Sequence, residues 1–304
     1  MDLAFYGLVG KPFETTPDPK FLYLAPGHRE ALAQLTYGLQ QRKGFILLTG
    51  EVGTGKTTLV HSLLKRLDAK TAVAFVFNTT LPFDQILEYI LEEFGIPRPG
   101  DSPARRLFAL NTFLTERCRA GLTTVLIVDE AQNLAPETLE QIRLLSNFET
   151  PTEKLLQIVL VGQPEIRAKL ELPELRQLKQ RIALRCQIPP LTATETRDYI
   201  RTRLRIAGAT DLGLFTERAL GRIADYTRGV PRLVNIVCDH CLLIGYADQQ
   251  RRIDRDVVEE AIDYLEDGSR RPGRGRALAR GWVTRVFGWT AAEWARIVRG
   301  VVFR

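Results

Sequence analysis

Short runs of apolar residues alternate along the chain with longer segments in which apolar residues recur every three to four positions. The short runs predict buried β-strands, at 45–50, 72–78, 123–130, 155–162 and 182–188. The periodic segments predict helices between them, at 28–42, 83–94, 103–119, 136–148 and 165–181. Strands that alternate with helices are typical of a parallel sheet covered on both faces. The pattern therefore predicts an α/β domain built on five parallel strands.

The pattern changes after Leu191, where only helical periodicity remains. Thr192 and Glu195 have the spacing of a capping box, which marks the start of a helix. The helix that this capping box starts is predicted to reach about 206, and further helices are predicted over 216–227, 231–246 and 254–266. We therefore expect an α/β domain over 31–190 and a small all-helical lid domain over 191–267.

The end of the chain differs in charge from the rest. Residues 268–304 contain nine arginines and one glutamate, a net charge of +8, whereas the rest of the chain carries −2 of the total of +6. We expect a flexible basic linker over 268–276 and a tail of two short amphipathic helices over 277–304. Arginines interrupt the apolar run of the tail, which makes it a poor transmembrane span.

Three interpretations of this basic tail remain open at this point. Tryptophans together with arginines suit an anionic membrane surface, which residues 270–304 would contact. The same segment also suits docking on a protein, or binding to nucleic acid. The four cysteines are too few for a disulfide scaffold, and the N-terminus shows no signal peptide, so we expect a cytoplasmic protein.

A glycine-rich loop lies between the first predicted strand and the helix after it. Its glycines let successive backbone N–H groups point at one phosphate cluster, and the N-terminus of the following helix also favours an anion. The spacing is that of a P-loop, in which Lys56 would reach the β- and γ-phosphates of ATP and Thr57 would ligate Mg²⁺. The predicted nucleotide-binding residues are Gly50, Glu51, Val52, Gly53, Thr54, Gly55, Lys56, Thr57 and Thr58.

The third predicted strand ends in two acidic residues, Asp129 and Glu130. An apolar strand with an acidic end, about 70 residues after a P-loop, is a Walker B pattern. Asp129 would hold Mg²⁺ together with Thr57, and Glu130 would polarise the attacking water. These motifs predict a Mg²⁺-dependent enzyme that hydrolyses ATP.

Residues 1–30 contain four prolines and several aromatic residues, which indicate a segment laid across a domain surface. Two interpretations are open for this N-terminal arm. It is either a packed arm or a lid over the adenine ring of the bound nucleotide.

Together these motifs resemble the AAA+ ATPases over residues 1–267. Several segments are also similar in sequence to one branch of that family, the ExeA-type general secretion pathway ATPases. Transposition ATPases of the Tn7 type share much of this core. The segments that carry the resemblance are 6–8, 12–13, 16–19, 21–24, 28–32, 50–57, 142–149 and 161–165.

The resemblance implies roles for three further residues. Gln163 takes the position of sensor 1, which detects the γ-phosphate. Arg181 takes the position of an arginine finger that completes the site of a neighbouring subunit, with Arg176 as its rival and a surface salt bridge as the alternative role. Arg232 matches sensor 2, which reaches from the lid to the nucleotide. These roles imply a homo-oligomer, either a ring or a filament.

The resemblance also implies a biological task, the ATP-driven assembly or remodelling of a membrane-associated secretion or envelope complex. The secretion ATPases that this chain resembles have a membrane span and a peptidoglycan-binding part after the ATPase region. Neither is found in this sequence. We therefore expect a cytoplasmic protein attached peripherally to the inner membrane through a membrane or envelope protein partner. Two alternatives remain: an ATP-dependent DNA-binding regulator that recruits a transposase, and a slow-turnover chaperone or signalling switch. The slightly acidic charge outside the tail argues against DNA.

Overall fold

The computed structural model describes residues 1–14, 19–77, 79–97, 100, 102–151 and 153–267. The chain divides into two compact units. One is Leu24–Pro189, and the other combines Met1–Tyr23 with the chain from Pro190 onward. The predicted basic linker and tail, 268–304, lie outside the described residues.

The first unit contains a five-stranded sheet in which every pairing is parallel. Its strands, in chain order β1 to β5, are Phe45–Gly50, Ala72–Val76, Thr124–Val128, Gln157–Gly162 and Ile182–Ile188. Their spatial order is β2-β3-β4-β1-β5. The predicted five-stranded parallel sheet is confirmed, and β1 lies between β4 and β5.

Helices cover both faces of this sheet. In chain order α1 to α7 they are Pro26–Gln40, Lys56–Leu64, Phe83–Glu93, Pro103–Arg119, Pro136–Leu145, Glu165–Lys169 and Arg176–Arg181. Alternate residues of β1 face opposite apolar cores, with Phe45 and Leu47 in one and Ile46 and Leu48 in the other. Burial on both faces explains why Phe45 to Leu48 form a continuous apolar run.

The helix predicted over 136–148 is shorter in the structure, where α5 ends at Leu145. The hydroxyl of Ser146 donates to the Arg143 carbonyl at 2.7 Å, a local bond that competes with continuation of the helix. The chain then reverses, and Leu155 N donates to Phe148 O at 3.1 Å before β4 begins. The turn that leads into β4 thus overrides the helical periodicity of this segment.

The described part of the second unit contains four α-helices, α8 to α11, which are Ala193–Ile206, Glu217–Thr227, Pro231–Ala247 and Arg255–Asp267. The capping box is present at the start of α8, because Thr192 N donates to Glu195 Oε2 at 2.7 Å and Glu195 N donates to Thr192 Oγ1 at 3.2 Å. The predicted helical segment after the sheet is therefore present.

The described residues of the N-terminal arm up to Tyr23 pack within this helical unit. The Tyr6 hydroxyl donates to the Leu242 carbonyl at 3.0 Å. The Arg203 guanidinium is buried, donates to the carbonyl of Pro12, and stacks on the rings of Phe21 and Tyr199. Chain segments far apart in sequence therefore share one core.

Among the described residues, none of the helices is both long enough and apolar enough to cross a bilayer.

Candidate nucleotide-binding site

The glycine-rich loop lies between the carboxyl end of β1 and the first turn of α2, in the first unit. Gly55 adopts a φ of 95°, a left-handed conformation that glycine tolerates best. A Cβ on Gly50 would lie 2.8 Å from Thr54 Oγ1 and 3.0 Å from the Ile188 carbonyl oxygen, so this position has no space for a side chain. Thr54 Oγ1 donates to the Glu51 carbonyl at 2.8 Å and closes the turn.

Lys56 is the first residue of α2, and its side chain bends back over the loop. Its Nζ donates to Gly50 O at 2.9 Å and to Glu51 O at 3.1 Å. Burial lowers the pKa of Lys56, and the nearby carboxylates of Glu130 and Asp129 partly oppose that shift. A buried cation whose hydrogen bonds go to neutral carbonyls is stabilised further by an anion such as a phosphate.

Thr57 and Asp129 face each other at the start of α2 and just beyond β3. Thr57 Oγ1 donates to Asp129 Oδ2 at 3.0 Å. Burial raises the pKa of Asp129, opposed by hydrogen bonds from the Glu130 backbone N–H and from Thr57. A carboxylate and a hydroxyl oxygen side by side are ligands that suit Mg²⁺, which prefers hard oxygen donors, so these two residues fit that ion.

Glu130 follows Asp129 in the left-handed conformation, with a φ of 51°. This backbone is uncommon for a residue other than glycine and begins a 3₁₀ turn, Ala131–Asn133. Its carboxylate oxygen Oε2 accepts from Gln132 Nε2 at 2.5 Å and from Gln163 Nε2 at 3.2 Å. Gln163 follows β4, the strand next to β3, which explains how a residue 33 positions away reaches Glu130.

Sequence reasoning missed three residues that support this site. Gln132 contacts Glu130; His28 Nε2 lies 2.9 Å from the Thr54 carbonyl oxygen; and Arg167 donates to Thr49 Oγ1 at 2.7 Å. None of the three belongs to a spacing pattern of the P-loop or of the acidic strand end. Only the packing of α1, the 3₁₀ turn and α6 against the sheet brings them there.

The structure places Arg181 at the last residue of α7, partly buried, where its guanidinium donates to Ser146 Oγ at 2.5 Å. Its rival Arg176 is exposed at the start of the same helix. Arg232 belongs to the other unit, where it is exposed at the second residue of α10. The first unit alone therefore brings Lys56 and Thr57 together with the residues after β3 and β4.

Comparison with known proteins agrees with this geometry. Residues 39–170 match the family model described as an AAA domain. The part of the chain that carries the candidate site is therefore an AAA domain. The chain is 42% identical over 284 residues to general secretion pathway protein A of Aeromonas hydrophila, an alignment that covers 92% of this chain. The chain spans about half the length of that relative, 52%. The match confirms the predicted family and the predicted nucleotide-hydrolysing class of enzyme.

Solved structures show the same fold at low sequence identity. The Aeropyrum pernix ORC2 protein, solved as ADPNP–ADP complexes, has a TM-score of 0.60 at 21% identity, covering 83% of this chain and 71% of that one. The Aeropyrum pernix ORC1 protein in complex with DNA has a TM-score of 0.62 at 19% identity, covering 84% and 69%. These similarities confirm the predicted AAA+ P-loop fold.

Proposed function

We propose that this AAA+ ATPase hydrolyses ATP with Mg²⁺ and uses the cycle to assemble or remodel a membrane-associated secretion or envelope complex. The observation that carries the catalytic part is the 3.0 Å contact between Thr57 and Asp129, beside a buried lysine and an acidic side chain held by two amides. A metal ligand pair, a phosphate-binding cation and a candidate base are the parts that phosphoryl transfer to water needs.

Each side chain has a defined task in this proposal. Lys56 leaves the loop carbonyls to stabilise phosphate charge, and the backbone N–H groups from Gly50 to Thr58 line the phosphates. Thr57 and Asp129 hold Mg²⁺, which neutralises charge on the phosphates. Glu130 accepts a proton from the attacking water. Gln163, beside the Glu130 carboxylate, reports whether the γ-phosphate is present.

Oligomer formation follows from two arginines in the proposal. Arg181 leaves Ser146 and enters the site of a neighbouring subunit, where a guanidinium stabilises transition-state charge. Arg232 approaches the nucleotide from the helical domain as sensor 2. Hydrolysis then depends on a ring or filament of this chain, and nucleotide state controls assembly.

The proposed task in secretion is supported by the 42% identity to general secretion pathway protein A. Because this chain covers only about half of that protein, we treat the shared task as a proposal. The excess of arginine in 268–304 supports attachment to an anionic membrane surface and to an envelope protein on the cytoplasmic side of the inner membrane.

Phosphate release from ATP tests this proposal, with the full chain alone, with vesicles rich in anionic lipid, and with duplex DNA. Lys56→Ala is the inactive control in every arm. We expect stimulation by the vesicles and its loss when residues 270–304 are deleted. Equal rates with anionic vesicles and with neutral-lipid vesicles would contradict the membrane role. They would leave the ATPase assignment unchanged.

A DNA-dependent regulator is the second candidate. It is favoured by a relative of 30% identity over 58% of this chain, an uncharacterised HTH-type transcriptional regulator of Methanocaldococcus jannaschii, and by the ORC1 structure with DNA. Stimulation by duplex DNA that weakens steeply with salt would support this candidate. Stimulation by vesicles alone would reject it.

A further inference from the structure

Gln132 contacts both of the residues that the proposed mechanism places nearest the attacking water. Its Nε2 donates to Glu130 Oε2 at 2.5 Å, and its Oε1 accepts from the backbone N–H of Gln163 at 3.0 Å. Gln163 Nε2 donates to the same Glu130 oxygen at 3.2 Å. The three residues therefore form a closed triangle of hydrogen bonds between the turn after β3 and the end of β4.

The partners determine the orientation of the Gln132 amide. A backbone N–H only donates, and a carboxylate oxygen accepts, so Oε1 must face Gln163 and Nε2 must face Glu130. The reversed amide would place two donors together at one end and two acceptors together at the other. Gln132 therefore has a single favourable arrangement in this position.

The surroundings of Gln132 keep it in that arrangement. Lys169 Nζ donates to the Gln132 carbonyl at 2.5 Å and to the Leu134 carbonyl at 2.7 Å, which holds the backbone of the turn. A Cβ on Gly162 would lie 2.9 Å from Gln132 Oε1. A glycine at the end of β4 thus leaves the space that the amide occupies.

We propose that Gln132 is a positioning residue for hydrolysis, which orients the Glu130 carboxylate and links it to the γ-phosphate sensor at the end of β4. This inference rests on the proposed role of Glu130. A free glutamate side chain loses conformational entropy when it is fixed, and two donors on Oε2 fix it before the nucleotide binds. The other oxygen, Oε1, is assigned to the attacking water.

Steady-state ATP hydrolysis and equilibrium ATP binding by the full chain test this inference. Gln132→Ala is expected to lower kcat about 10- to 100-fold, the usual loss when a supporting hydrogen bond is removed, while KM and the Kd for ATP change less than about twofold. The matched control is Asn133→Ala, an exposed neighbour in the same turn, which should keep the wild-type kcat. Gly162→Ala retains Gln132 but crowds its Oε1, and it should also lower kcat.

The isosteric variant Gln132→Glu separates positioning from packing. It keeps the volume of the side chain but places a second carboxylate against Glu130, so kcat should fall.

Wild-type kcat in Gln132→Ala or in Gln132→Glu would overturn this inference. Equal losses in Gln132→Ala and Asn133→Ala would overturn it too, because they would indicate a general loosening of the turn. Wild-type turnover in Glu130→Gln would instead overturn the proposed mechanism itself.

Discussion

Thr57 Oγ1 and Asp129 Oδ2 are joined by a 3.0 Å hydrogen bond across 72 positions of the sequence. The bond links the start of α2 to the end of β3, two elements that the parallel sheet brings to the same edge. Ligands of open α/β sheets bind at this edge, at the carboxyl ends of the strands. The same pair supplies the two oxygens proposed for Mg²⁺.

Glu130→Gln is expected to abolish turnover and to leave nucleotide binding intact. The amide keeps the shape of the side chain but does not accept the proton of water, and general base catalysis typically contributes 10²–10⁴-fold. Phosphate release should therefore fall by at least about 100-fold, while the Kd for ATP stays near the wild-type value. The exposed Glu137, changed to Gln, is the matched control and should have no effect. Undiminished turnover in Glu130→Gln would contradict the assignment.

Asp129→Asn is expected to stabilise the nucleotide-free chain at neutral pH. Burial raises the pKa of Asp129, so the folded state binds a proton at this group more tightly than the unfolded state does. The stability from this group is then largest below the ordinary aspartate pKa of about 3.9, and it falls as pH rises through the raised value. At pH 7 the charged, buried carboxylate lowers the free energy of unfolding, and the uncharged asparagine removes that loss.

Urea unfolding measures this effect. We expect the free energy of unfolding to rise by about 0.5–2 kcal/mol at pH 7, a range typical of single stabilising substitutions, and the gain to vanish near pH 3 to 4. Asp225→Asn, at an exposed position of α9, is the control. The same variant should lose Mg²⁺-dependent turnover. A lower free energy of unfolding at pH 7 would show that the carboxylate stabilises the empty site.

Arg181→Ala is expected to lose turnover in a way that a second inactive chain repairs. An arginine finger acts in a neighbouring subunit, and its removal costs about 10³-fold or more. Mixing Arg181→Ala with Lys56→Ala should restore part of the rate, because one chain supplies an intact P-loop and the other supplies the arginine. Arg176→Ala should keep full activity. If the mixture stays inactive although the two chains co-assemble, the finger role of Arg181 is wrong.

Gly50→Ala is expected to weaken both folding and nucleotide binding. The new Cβ would lie 3.0 Å from the Ile188 carbonyl oxygen, a backbone atom that does not rotate away. Overpacking of this kind costs about 1–3 kcal/mol. Gly10→Ala is the control, since a Cβ there meets nothing within 4 Å. Gly50→Ala should have a lower unfolding temperature and a higher Kd for ATP than Gly10→Ala. Identical values would show that the loop can shift to accommodate a side chain at Gly50.

Part of this molecule was predictable because the information is local. Strands β1, β3 and β4 are fully buried, so their apolar runs are visible in the sequence, and the predicted sheet is present with five parallel strands. The loop between Gly50 and Thr57 carries its chemistry in neighbouring residues. Its recognition required no knowledge of the tertiary fold, and the match to an AAA domain agrees with it.

The sequence by itself therefore determined the order of the elements, the family and the residues of the loop, because these depend on periodicity and on short spacings. Only the tertiary structure decided that Gln132 contacts Glu130 and Gln163, that α5 ends at Leu145 and that the arm packs on Arg203. These contacts depend on which strands are neighbours and on where side chains meet. A hydrogen bond between residues far apart leaves no periodic trace in the chain that forms it.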